Sequence, residues 1–441
     1  MGLKPPRRET VDAAVVGRPT TSVAVPTLNR ATLPTWTCEL ERKPCEERSR
    51  ARTVTAIGEY LPFGKPNFSE REIEAVTRVM RKGWIGMGSE TLAFEAELAA
   101  YLGVPHVVTV NSCTSALHLA MLVSGIRPGD EVIVPSLTWC ATANAAVYLG
   151  AKAVFADVDP TTLCVTPETI RAKVTPRTRA VLPVHFGGLA ADIQGIRAVV
   201  PGNVAVVEDA AHAFGSRLIE DTMVGTSGNL TCFSFYANKN LSTGEGGAIA
   251  LPDEAVADRL RSLRQNAMPN NAWNRFTQRR SILYFELEEL GYKMNYTDLC
   301  AAIGRVQLAR QEEFATTRRE IAEIYLGALA GLDPDIQVQQ GLGERRHARH
   351  LFPVVLPTEK LRVDRDTFIL SMRERNVGVS IHYAPLHQMP LYTRGSQPPE
   401  LPVTEALRSS ILTLPISASM TMDQACAVAD IFADVYRANL R

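Results

Sequence analysis

The pattern of apolar and polar positions changes character twice along the chain. Residues 1 to about 55 show no hydrophobic period and are rich in Pro, Arg and Thr, with the basic run Arg48-Ser-Arg-Ala-Arg52. Such a stretch predicts a disordered extension. From Ser69 the pattern becomes regular. Ser69-Glu-Arg-Glu72 has the form of a capping box, and it precedes Ile73, Val76 and Met80, the expected apolar stripe of a first helix. Short β-branched runs then alternate with helix-length stretches. Seven strands are expected: His106–Val110, Glu131–Val134, Ala153–Asp157, Arg179–Val184, Val204–Glu208, Leu230–Phe235 and Gly247–Leu251. Runs that are nearly all apolar and separated by helices predict a mostly parallel sheet covered on both faces, with ligands bound at the carboxyl ends of its strands.

Near residue 290 the pattern changes again. Thr297 opens a helix with Leu299, Ala302, Ile303 and Val306 expected inward, and Thr317 to Leu332 carries another. Leu351–Leu356, Val377–His382 and a helix from about 422 to 438 follow. The expected fold class is α/β: residues 56–290 form a large domain around the seven-stranded sheet, and residues 291–441 form a smaller α/β domain.

Composition narrows the field. The 441 residues are 46% hydrophobic and 21% charged, with a formal net charge of zero. That is ordinary for a globular protein, and no global field favours nucleic acid or an anionic membrane. Eight cysteines lie scattered without metal-type or secreted-framework spacing, which predicts a reduced, cytoplasmic chain. No apolar run reaches the length of a membrane span, and Glu39, Glu41, Glu46 and Glu47 argue against a transit peptide.

The candidate chemistry lies at the predicted strand ends. Lys239 sits in Ser234-Phe-Tyr-Ala-Asn-Lys239 ahead of the loop Thr243-Gly-Glu-Gly-Gly247, and Asp209 closes Val204-Ala-Val-Val-Glu-Asp209. A lysine amine for a Schiff base and a carboxylate to keep a pyridine nitrogen protonated are the two groups that pyridoxal phosphate needs most. Asn111-Ser-Cys-Thr114-Ser115 follows a strand and begins a helix, where free N–H groups make an anion site. Thr114, Ser115 and Ser234 are therefore candidate phosphate ligands, although Ser and Thr also cap helices with no ligand present. Trp139 after the second strand could stack on a pyridine ring or pack in the core. His212, three residues past Asp209, could bond that aspartate or the cofactor hydroxyl. The order of these features, each at a strand end, favours the cofactor reading over a set of unrelated surface residues.

These residues resemble the DegT-type sugar aminotransferases, a branch of fold-type-I pyridoxal-phosphate enzymes. The resemblance spans roughly residues 61 to 437. Its landmarks are Gly83-Trp-Ile-Gly-Met-Gly88, Asn111-Ser-Cys-Thr-Ser-Ala-Leu117, Asp157-Val-Asp159, Val184-His-Phe-Gly-Gly188, Glu208-Asp-Ala-Ala-His212, Phe233-Ser-Phe with Lys239-Asn-Leu-Ser-Thr-Gly-Glu-Gly-Gly247, and Gly291-Tyr-Lys-Met-Asn295. It implies Lys239 as the Schiff-base lysine, Asp209 as the partner of the pyridine nitrogen, His212 near the ring hydroxyl, Trp139 stacked on the ring, and Thr114, Ser115 and Ser234 on the phosphate. It further implies a homodimer with shared active sites, Asn295 reaching the partner's phosphate and Arg280 directed toward the same site. The order of Lys293 and Asn295 is similar to that of the branch that aminates UDP-linked 4-keto sugars, such as the 4-amino-arabinose enzymes. L-glutamate as amino donor and a nucleotide-linked keto sugar as acceptor are implied in the same way. A dehydrase subgroup has histidine in place of the lysine, so Lys239 favours transamination.

Three other readings remain open on the sequence alone. The same chemistry could act on a non-nucleotide ketone such as a keto-cyclitol or an antibiotic precursor. A silent cofactor-binding regulator would have lost the lysine or gained a helix-turn-helix, and neither is seen. A metal hydrolase would have to use His347 and His350 or His382 and His387, which no carboxylate or Cys completes as a ligand set. Those histidines are expected either to line the cleft or to lie on the surface.

Overall fold

A computed structural model describes residues 56–268, 287–340, 347–394 and 397–441; the N-terminal extension and Arg280 lie outside them. Residues Ala51–Arg441 form one unit. Its centre is a seven-stranded sheet made of β1 (His106–Val110), β2 (Glu131–Pro135), β3 (Lys152–Ala156), β4 (Thr178–Val181), β5 (Ala205–Asp209), β6 (Leu230–Ser234) and β7 (Gly247–Leu251), in the order β1-β7-β6-β5-β4-β2-β3. The strands from β6 to β3 run parallel. β7 is antiparallel to both of its neighbours. All seven expected strands are present, with bounds displaced by up to three residues.

Alternation along each strand builds two cores. Val107, Ile133, Val181, Val206 and Phe233 face one side, with Phe94 and Leu98 of helix α2 (Ser89–Leu102). Val108, Val132, Val134, Val207 and Ile249 face the other, with Leu117 of α3 (Cys113–Val123) and Ala143 of α4 (Cys140–Val147). Burial on both faces is why these strands read as continuous apolar runs.

Helix α1 (Glu70–Lys82) starts at the expected capping box, in which Ser69 Oγ accepts from the Arg71 N–H and the Glu72 carboxylate accepts from the Ser69 N–H at 2.8 Å. Its orientation corrects the sequence reading. Glu72, Ala75 and Val79 are buried, whereas Ile73 is 57% exposed and Met80 63%. Small residues on the inner face let α1 approach the helix Asp298–Ala309, where Ala302 packs on Ala75 and Val79. Glu72 tolerates burial because Gln307 donates to it at 2.7 Å and Arg310 pairs with it at 3.1 Å. Helix Asp298–Ala309 is capped by Thr297 as expected, but buries Ala301, Gly304 and Leu308 alongside Ala302, with Leu299, Ile303 and Val306 only partly covered. Asp298 also accepts from the N–H groups of Gly88 and Thr91 at 2.7 and 2.9 Å. The Gly83–Gly88 landmark is thereby tied to the start of α2.

Beyond residue 310 a second sheet, order β10-β9-β8, joins β8 (Gln337–Val338), β9 (Phe352–Val355) and β10 (Ile411–Leu414). Helices Gln311–Ala330 and Met422–Ala438 pack against it through Tyr325, Phe352 and Phe432. The expected element at Val377–His382 forms only isolated bridges, Val377 with Leu61 and Ser380 with Thr413. The Gly378 backbone passes so close to Leu61 that an added Cβ would lie 2.5 Å from its carbonyl oxygen. No helix among the described residues is long and apolar enough to cross a membrane.

Candidate active site

The sheet brings its chemistry together along one edge. Val110, Gly247 and Ser234 sit side by side in register, and Asp209 pairs with Cys232 one strand further on. Above this edge opens a cavity of about 490 Å³, within the range of small-ligand pockets. Ser112, Cys113 and Thr114 line it from the start of α3, Thr138, Trp139 and Thr142 from the segment after β2, and Asp209 and His212 from the end of β5. Ser234, Asn238 and Lys239 close the next side, and His382 and Tyr383 reach in from the C-terminal part of the chain.

Asp209 is buried at the floor. Its Oδ2 accepts from the Thr142 hydroxyl at 2.7 Å and its Oδ1 from the Ala211 N–H at 3.1 Å. Burial raises its pKa above the usual carboxylate value, opposed by those two donors and by Lys239. Thr142 in turn lies 2.9 Å from the Thr138 hydroxyl. Because Thr142 spends its proton on an acceptor-only carboxylate, Thr138 must donate to it. The neighbouring Glu208 points to the opposite face, where His185 bonds it at 2.9 Å and Ser227 and Asn229 donate to it. Strand alternation thus separates a structural carboxylate from one that faces the cavity.

Lys239 sits 3.4 Å from His350 Nε2. Burial lowers its amine pKa to about 8, with Cys113 and Asp209 opposing. His212 accepts from the Gly187 N–H through Nδ1 at 3.4 Å and faces the Tyr383 hydroxyl through Nε2 at 3.0 Å. Burial, with Lys239 and His382 nearby, holds this imidazole well below its ordinary pKa. It is therefore neutral at physiological pH.

On the opposite side, Ser112 caps α3 by accepting from the Ser115 N–H at 3.1 Å. The first turn of a helix leaves further N–H groups without intrahelical partners, here those of Cys113 and Thr114 at the cavity wall. The Ser115 hydroxyl is donated to Asn111 Oδ1 at 2.7 Å. Gly247 seals the turn: a Cβ there would meet the Cys113 nitrogen at 2.6 Å. Trp139 is 61% exposed at the N-cap of α4, its ring 6.0 Å from that of Tyr383. Asn295 stands apart. Lys293 donates to its Oδ1, and its own amide donates to the Tyr296 carbonyl at 3.2 Å.

All four histidines in question are buried and bonded. His347 pairs with Gln339, His350 with Asn240, His382 with Thr413 and His387 with Ser136. None lies on the surface. Sequence reasoning assigned no role to Thr142, Tyr383 or Ser112. Thr142 carried a usable signal, standing one helical turn after Thr138 behind a strand end. Tyr383 carried none.

The donor set fits pyridoxal phosphate. It offers an amine for an aldehyde, a buried carboxylate for a ring nitrogen, and a glycine-sealed helix start for a dianion, around a cavity of suitable size. Comparison with known proteins gives the same answer. Residues 66–433 match the description of the DegT/DnrJ/EryC1/StrS aminotransferase family. The spore coat polysaccharide biosynthesis protein SpsC of Bacillus subtilis is 41% identical over 382 residues, which is 86% of this chain and 97% of that one. The aminotransferase TlmJ of Streptoalloteichus hindustanus is 34% identical with a TM-score of 0.78, over 86% of this chain and 99% of that one. Spr1654 of Streptococcus pneumoniae, solved in PLP and PMP forms, is 26% identical with a TM-score of 0.78; the PLP form is covered over 87% of this chain and 100% of its own.

Proposed function

The chain belongs to the DegT/DnrJ/EryC1/StrS aminotransferase family of pyridoxal-phosphate enzymes, and from that premise we propose that it moves an amino group from L-glutamate to a keto group of a nucleotide-linked sugar. One observation carries the reading: the Lys239 amine, its pKa lowered by burial to about 8, lines the same cavity as the buried Asp209 carboxylate. When bound, pyridoxal phosphate supplies an electrophilic carbonyl carbon and a ring that accepts electron density.

The chain's own residues do the rest. Asp209 would face the ring nitrogen and, as a carboxylate, keep a proton on it. The N–H groups at the start of α3, with Thr114 and Ser234 as candidate side chains on the cavity wall, would bind the phosphate; Ser115, off that wall with its proton on Asn111, would have to turn to join them. Trp139 and His212, both on the cavity wall, would cover one ring face and meet the ring hydroxyl respectively. Lys239 Nζ would hold the cofactor and, as a free amine, would take the proton from the donor Cα. At a pKa near 8, a usable fraction of this amine is unprotonated at neutral pH, which an ordinary lysine near 10.4 does not provide. The second half-reaction returns a proton to the former keto carbon of the sugar.

The order of Lys293 and Asn295 supports a UDP-linked 4-keto sugar. Asn295 lies outside its own cavity wall, and Trp139 and Tyr236 at that wall are 61% and 48% exposed. Both facts support a homodimer in which a second copy covers the site. The test is a screen of purified enzyme with glutamate against UDP- and dTDP-keto sugars and free keto-cyclitols, read by the mass of the amino product. Turnover of a nucleotide-linked sugar is expected. Turnover of cyclitols alone would overturn the reading.

A further inference from the structure

The loop that follows Lys239 folds back to hold the histidine that touches it. Asn240 Nδ2 donates to the Ala348 carbonyl at 2.8 Å, and Asn240 Oδ1 lies 3.2 Å from His350 Nδ1. A backbone carbonyl only accepts, so the first contact fixes which end of the amide is nitrogen. The oxygen must then face His350, and Nδ1 must carry the imidazole proton. Nε2 is left with its lone pair, and the group 3.4 Å from it is Lys239 Nζ. Asn240 is itself anchored by Gln311, whose amide donates to the Asn240 carbonyl at 3.1 Å.

We infer that Asn240 is a positioning residue which locks His350 in the Nδ1–H tautomer, so that Nε2 accepts one Lys239 N–H and turns the amine lone pair toward the cavity. The inference rests on the proposed role of Lys239. Two assignments for His350 are conceivable, a proton carrier or a fixed acceptor. The groups around it decide. Lys239 and Arg318 bring positive charge to its surroundings, the neutral His212 ring lies 4.7 Å from its own, no carboxylate among the described residues pairs with it, and burial, reinforced by the charge of Lys239, holds its pKa well below the ordinary value. A proton placed on Nε2 would meet that repulsion, so His350 orients the lysine and leaves the proton on it.

The experiment uses 15N-histidine-labelled protein, with His350 assigned through His350→Gln. Long-range 1H–15N correlation of the wild-type apoprotein is expected to show His350 as the neutral Nδ1–H tautomer. Asn240→Leu should lose that preference and lower kcat about tenfold, the worth of roughly one hydrogen bond, with KM for both substrates unchanged. Asn240→Asp should keep the tautomer but ease protonation of the imidazole, moving the acid limb of the kcat profile to higher pH. A wild-type Nε2–H tautomer would overturn the inference, as would an Asn240→Leu protein with unchanged tautomer and pH profile. If Asn240→Leu does not fold, the wild-type spectrum decides. The functional reading fails separately, if borohydride attaches no cofactor to Lys239 in the wild type.

Discussion

Thr142→Val removes one hydroxyl from the site and nothing else of size. That hydroxyl donates to Asp209 Oδ2 at 2.7 Å and is the largest influence opposing burial of the carboxylate. A hydrogen bond to a charged group contributes about 1.5–3 kcal/mol, and each 1.4 kcal/mol is about tenfold in an equilibrium. The ionised form of Asp209 should therefore lose about 10- to 150-fold in relative stability. The sign follows directly: the pKa of Asp209, already raised, rises further, so the carboxylate takes up its proton at a higher pH than in the wild type. The acid limb of the kcat/KM profile should move upward, and cofactor affinity should fall most at low pH. The assay is absorbance titration of apoprotein with pyridoxal phosphate across the acid range, followed by the pH profile of turnover. Thr142→Ser should restore both, since it keeps the hydroxyl. An acid limb unmoved in Thr142→Val, in a protein where Asp209→Asn is impaired, would refute the reasoning.

Other outcomes follow from the same contacts. Lys239→Ala should lose the borohydride-stable adduct seen by peptide mapping and nearly all turnover. Capture of pyridoxal phosphate by apoprotein, followed by stopped flow, should accelerate as pH rises through about 8, because the lysine amine becomes neutral there. Arg264, buried with Glu95 and Thr109 between α2 and β1, should be stranded by Glu95→Ala at a cost of about 3–5 kcal/mol in urea denaturation, whereas Glu95→Leu with Arg264→Met should cost much less. Gly247→Ala should abolish cofactor binding, read by absorbance, since its Cβ would strike the backbone of Ser112 and Cys113 at 2.6 Å.

The sheet was legible because burial on both faces writes strands as unbroken apolar runs, and Asp209 and Lys239 stood out as candidates because one closes β5 and the other follows β6 in the turn before the glycine-rich loop. Helix α1 shows where periodicity stops informing. Two apolar stripes run along it, and the larger one, Ile73, Val76 and Met80, is the outer. Hydrophobicity ranks stripes by side-chain size, whereas close helix packing selects small residues such as Ala75. Thr142 and His350 were given no contact with Asp209 and Lys239 because each bonds a residue far away in sequence. Such pairings are set by topology, and no local pattern encodes them. The antiparallel run of β7 is invisible for the same reason, since a buried strand reads alike in either direction.

That last strand has a consequence for how the protein is made. β7 is the divider between β1, formed early in the chain, and β6, formed much later. The glycine at its head is what closes the turn at the start of α3. A growing polypeptide on the ribosome thus exposes its aspartate and then its lysine before it has a finished cradle for an anion. Gly247 belongs to the last strand of the sheet to be synthesised, so the turn at the start of α3 gains its seal only once the chain has been made through β7.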